Sequence, residues 1–125
     1  MTDPFAHHPE LRDLLFMRPT GEARVPYFTA KHGQQTAVLD YLRTHLAAEM
    51  VALPSNEALE AGLFGPPPHL PAAVDRLGDV VGIMRSGYAF LSPARPDQAH
   101  HMDGRHAGMT AAEMQVPWLG FRLDA

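Results

Sequence analysis

The chain contains no cysteine, so a disulfide framework, a thiolate metal ligand and a thiol nucleophile are all closed to it. Any metal must be held by its eight histidines or its 14 acidic residues. Lysine and arginine number only ten, the net charge is −4, and the basic residues stand singly. Nucleic acid and an anionic membrane surface are therefore not expected as main partners. No apolar run approaches the length of a bilayer span, and the N-terminus lacks the charged-then-apolar pattern of a secretion signal. The expectation is a soluble chain without a readable address, cytoplasmic by default. Charge is sparse at 19%, but the 46% apolar fraction is that of a folded domain.

What the sequence does have is enough length, 125 residues, for a single core, and twelve prolines that punctuate it. Leucines 11, 14 and 15 give "HPELRDLL" a short helical face, with Pro9 suited to its first turn. "MRPTGE" breaks the chain. Ala23–Ala30 reads as a strand that Pro26 demotes to an edge or bulged one. Val38, Leu39, Leu42, Leu46 and Met50 follow helical spacing after the "HG" turn. "MVALP" is a short strand, Ser55 is placed to cap a helix through "NEALEAGL", and Gly62 to end it. "FGPPPHLP" is a rigid connector rather than a docking motif. "PAAVDRLGD" is a short helix, and Val80–Met84 with Tyr88–Leu91 reads as a hairpin about "RSG". A long loop, "PARPDQAHHMDGRHAG", residues 93–108, then leads to one helical turn, "TAAEM", and a closing strand, "QVPWLGFRL", in which Trp118 is expected to be core. The order of elements implies an α/β or α+β class, with a mixed sheet flanked by helices.

The residues before that last helix carry the chemistry. Thr110 followed by Glu113 is a capping box, in which each side chain takes a free backbone amide of the helix start. His106 sits on the approach, between Gly104 and Gly108, where the backbone has unusual freedom. An imidazole mounted this way suits a metal ligand or a general acid/base, although on residue chemistry alone a loop histidine is more often a surface group. His100 and His101 are adjacent, point to opposite sides of an extended chain, and read as solvated. Asp103 either orients His106 as a hydrogen-bond acceptor or serves the loop turn. Asp79 reads as a carboxylate bonding nearby amides at a strand start, and His45 as structural.

The stretch "DGRHAGMTAAEMQVPWLGFRL" resembles the closing motif of the alkaline phosphatase superfamily, in its type I phosphodiesterase/nucleotide pyrophosphatase branch. There a Gly–any–His–Gly–Gly/Ser stretch is followed by Leu-Thr, Glu-Met, Val-Pro and an apolar strand. Gly104, His106, Gly108, Thr110, Glu113, Met114, Val116 and Pro117 stand in those places. Ala107 replaces the usual glycine and Met109 the usual leucine. "SNEALEAGLFGP", "RLGDVVGIMRSGYAF" and "GEARVPYFTAKHGQQTAVLDYL" resemble preceding segments of the same family, so the likeness runs from about His8 onward.

The resemblance implies that His106 is a ligand of one of two divalent metals, usually zinc. It also implies a C-terminal part of an alkaline-phosphatase-like α/β fold. Residues 8–99 would form a cap- or insert-like region and residues 100–125 the metal-ligand loop, short helix and core strand. The family's Thr or Ser nucleophile, its other Asp and His ligands and its "DHG" motif are missing from this sequence. One histidine cannot hold a two-metal site. The chain is thus expected to be the C-terminal portion of a phosphohydrolase acting on a phosphate ester or nucleotide, silent alone and completed by an N-terminal catalytic part. A non-catalytic binding module derived from that fold is the alternative. In a fragment, unsatisfied sheet edges and an apolar patch should favour self-association.

Overall fold

Residues 4–91 and 104–123 are described by a computed structural model. Strand β1 (Thr20–Glu22) turns back on β2 (Val25–Phe28), with Gly21 opposite Pro26. Strand β4 (Val80–Met84) pairs with β2 through Tyr27–Val81 and Phe28–Val80. On its other side β4 pairs with β3 (Met50–Pro54), from Met50–Met84 to Pro54–Val80. The order is β1-β2-β4-β3 and every neighbouring pair is antiparallel.

The class is therefore α+β, and the mixed sheet expected from the sequence is replaced by an antiparallel one. Strands β2 and β3 do run the same way, as a strand–helix–strand unit requires. The late strand β4 inserts between them and turns both contacts antiparallel.

Period-two alternation divides the sheet into two faces. Phe28, Met50, Ala52, Val80 and Met84 face the larger core cluster, shared with helices α1 (Pro4–His7), α2 (Pro9–Leu14) and α3 (Gln35–His45). Leu11, Val38 and Leu42 are wholly buried there, each contributing roughly 2 kcal/mol of apolar burial. Val25 and Val81 face the opposite way, against Ala58 of α4 (Ser55–Glu60), Leu77 just after α5 (Pro71–Arg76), and the half-buried Met109. The loop that carries His106 therefore reaches the second, thinner face of the sheet.

Several local expectations need correcting. Strand β2 is internal rather than an edge, and Pro26 is fully buried in it. The ladder resumes beyond the missing donor, where Met84 N–H bonds the Arg24 carbonyl at 3.0 Å. The "PTGE" break contains β1. Ser55 is the first residue of α4 rather than its cap, and its hydroxyl donates to the Leu77 carbonyl at 3.1 Å. Gly62, at φ +74, does end that helix: its N–H bonds the Leu59 carbonyl, and Leu63 N–H reaches back to Ala58.

Residues Tyr88–Leu91 form no strand, because both edges of β4 are already taken by β2 and β3. They strap back across the fold instead. Phe90 N–H donates to the Ala23 carbonyl at 2.7 Å, and its ring packs edge-on to Phe28 and Phe5. The closing strand, residues 115–123, is absent too, and Trp118 is 92% exposed rather than core. The sheet offers it little edge: β1 is only three residues long, and β3 is guarded, since Arg43 takes the Ala52 carbonyl, Leu46 takes the Met50 N–H, and Pro54 has no donor.

Candidate functional site

Helix α6 (Ala111–Met114) is a single turn, too short to hold itself together. Its capping box forms as the sequence predicts. Thr110 N–H reaches Glu113 Oε2 at 3.3 Å, and the Thr110 hydroxyl donates to the same oxygen at 2.6 Å. The backbone continues the turn, with Met114 N–H bonding the Thr110 carbonyl at 3.0 Å.

The same carboxylate accepts a second set of bonds from across the molecule. Arg24 Nε donates to Glu113 Oε1 at 2.8 Å and Arg24 Nη2 to Oε2 at 2.7 Å, a two-point fork between residues 89 apart in sequence. Arg24 is 6% exposed, and its remaining nitrogen, Nη1, donates to the carbonyls of Arg85, at 2.7 Å, and Tyr88. One guanidinium thus ties together the β1–β2 turn, the end of β4, the strap that follows it and the start of α6. The Arg24 fork, then the Thr110 hydroxyl, hold the Glu113 carboxyl at about 2, well below its usual 4.5. The Glu113 carboxylate in turn raises Arg24.

Gly108 is buried against that carboxylate. A side chain there would begin 2.1 to 2.3 Å from the Glu113 carboxyl atoms, so any side chain would have to push that carboxylate off its Arg24 fork. Ala107 immediately before it is in the left-handed region, φ 66, a conformation that glycine adopts more readily. This is the position where the resembled family carries glycine. Met109 anchors the loop on the other side by packing with Val81, Leu77 and Ala58. Gly104, by contrast, has open space where a side chain would stand, and its freedom is not required by packing.

His106 lies two residues before Gly108 and is exposed. Its imidazole is thus presented to solvent from a loop whose far end is fixed at three points. Among the described residues, no group of three or more His, Asp or Glu is placed to hold a metal ion. His100, His101 and Asp103 lie outside the described residues. Asp79, immediately before β4, accepts the Ala30 N–H at 2.8 Å, an amide 49 residues away rather than one of its own turn. His45 stacks on Tyr41, with ring centroids 4.4 Å apart.

The residue that sequence reading missed is Arg24. A single arginine before a strand carries no pattern, and Glu113 already had a sufficient reason to exist as the third residue of a capping box. Comparison of the chain with protein-family profiles, with curated proteins and with solved structures found no match.

Proposed function

We propose that this chain is the C-terminal portion of a metal-dependent phosphodiesterase/nucleotide pyrophosphatase-like phosphohydrolase. Its contribution is His106, one ligand to one of two divalent metals, with zinc the expected ion. The observation that carries this reading is the exposed imidazole on a loop held by Gly108, Met109 and the Arg24–Glu113 pair. That is what a ligand offered to a site assembled from elsewhere requires. The described residues alone do not compose a metal site, and on this reading the hydrolytic step belongs to the assembled protein. The nucleophile and the remaining ligands would come from an N-terminal part or a partner chain. Once bound, the metals would stabilise the attacking and leaving oxygens of a phosphoryl centre.

The exposed apolar side chains of residues 116–123 support the same reading, since a piece of a larger fold retains surface meant for its missing neighbour. A second reading is a non-catalytic interaction module. It is favoured by the sheet being packed on both faces by the chain's own residues and by the guarded β3 edge.

The deciding experiment is to read the coding sequence upstream of the Met1 codon and co-express whatever it encodes. An open frame with a Thr or Ser nucleophile, metal-binding aspartates and an Asp-His-Gly motif supports the hydrolase, provided the joined protein hydrolyses a phosphodiester with zinc and loses activity in His106→Ala. A stop codon and translation start directly upstream, with His106 indifferent to zinc, would sink it in favour of the interaction module.

A further inference from the structure

From the geometry we infer that Arg24 is the positioning residue of the His106 loop. The buried guanidinium decides whether the imidazole is presented at all, although it lies outside the motif that carries the histidine. The inference rests on the reading of His106 as a metal ligand, but the mechanical part can be tested without it.

A one-turn helix cannot persist on its own hydrogen bonds, and a capping box adds only a local restraint. What attaches α6 to the body of the protein is the Glu113 carboxylate gripped by Arg24 through two bonds at 2.7 and 2.8 Å. Arg24 cannot turn away from that contact cheaply. Its third nitrogen is committed to the Arg85 and Tyr88 carbonyls, and its backbone carbonyl accepts from Met84 in the sheet.

The gripped carboxylate then forms the surface on which Gly108 rests, too close for any side chain. Gly108 fixes the exit of the left-handed turn at Ala107, and that turn aims residue 106. The order of dependence is Arg24, Glu113, Gly108, Ala107, His106. Lysine could not replace Arg24, because one ammonium cannot fork onto a carboxylate and also satisfy two carbonyls on the far side.

The test compares wild type with Arg24→Lys, Gly108→Ala and His106→Ala, using the whole chain. Amide hydrogen exchange of residues 108–114 and the NMR signals of the His106 ring are the readouts. Arg24→Lys should speed exchange in residues 108–114 by roughly tenfold or more while β2–β4 amides stay protected. Gly108→Ala should do the same with Arg24 intact, which covers the case that the lysine variant fails to fold. His106→Ala should leave exchange as in wild type. The His106 ring signals should move from their wild-type positions in both loop-releasing variants.

Unchanged loop exchange in Arg24→Lys and Gly108→Ala overturns the inference. So does a released loop in which the His106 ring signals stay as in wild type. The metal reading of His106 stands or falls separately, on zinc-dependent hydrolysis by the joined protein and its loss in His106→Ala.

Discussion

Replacing Arg24 with methionine gives the sharpest test of what holds the two ends of this chain together. Methionine keeps an unbranched stem of similar length and removes only the fork. The Glu113 carboxylate and the Tyr88 carbonyl then lose this donor, whereas the Arg85 carbonyl keeps the Tyr88 N–H at 3.2 Å. The losses are unequal. Glu113 is partly exposed and can be rehydrated by releasing α6, whereas the Tyr88 carbonyl faces the space the guanidinium filled. An acceptor left without a partner in such a place costs about 1–3 kcal/mol. With some relief from water and from the apolar methionine, the expected loss is about 1–2 kcal/mol. That corresponds to a fall in Tm of roughly 5 °C for a domain of this size.

Urea unfolding followed by far-ultraviolet circular dichroism measures the loss. A double-mutant cycle with Glu113→Met then separates the ion pair from the carbonyl bonds. Because the double variant leaves no charge without its partner, its loss should be smaller than the sum of the two single losses. An Arg24→Met protein within about 0.5 kcal/mol of wild type, or strictly additive variants, would show that the pair joins nothing.

Acid should release the same latch. The Glu113 carboxyl is depressed to about 2, so the stability it provides is complete above pH 4.5 and is lost as pH falls towards 2. Amide exchange in residues 108–114 should accelerate over that window, and a Glu113→Gln protein showing the same pH profile would refute the assignment. Ala107→Gly removes a left-handed conformation costing about 1–2 kcal/mol, partly offset by the freer unfolded chain, for a net gain of about 0.5 kcal/mol in denaturant unfolding. A clear loss instead would mean that the loop does not hold this turn. Val116, Trp118, Leu119, Phe121 and Leu123 are 79 to 95% exposed, so sedimentation should reveal concentration-dependent association, reduced in a Trp118→Ser/Phe121→Ser double variant. A monomer at high concentration that binds no hydrophobic dye would show that this surface is not adhesive.

Local physics was readable wherever a few neighbouring residues sufficed. The spacing of Val38, Leu42 and Leu46 specified the buried face of α3, Gly62 ended α4, and Thr110 with Glu113 marked the start of α6. Failures came where competition between distant segments decided the outcome. Residues 88–91 and 115–123 have strand-like composition, yet β4 already has two neighbours, β3 is guarded by Arg43 and Pro54, and β1 is only three residues long. Strand propensity needs an edge long enough to pair with. Pro26 argued for an edge on the basis of one missing donor, but the sheet tolerated that loss in its interior.

The candidate site divides the same way. The sequence by itself determined that a histidine stands between glycines before a capped helical turn, because capping and turn chemistry act over three or four residues. It also determined that no thiol chemistry is possible. Only the tertiary structure decided that Glu113 serves two masters, its own helix cap and Arg24. The reason is geometric: a guanidinium has donors enough to bind a carboxylate and two carbonyls at once, and those acceptors come from three segments that meet only after folding.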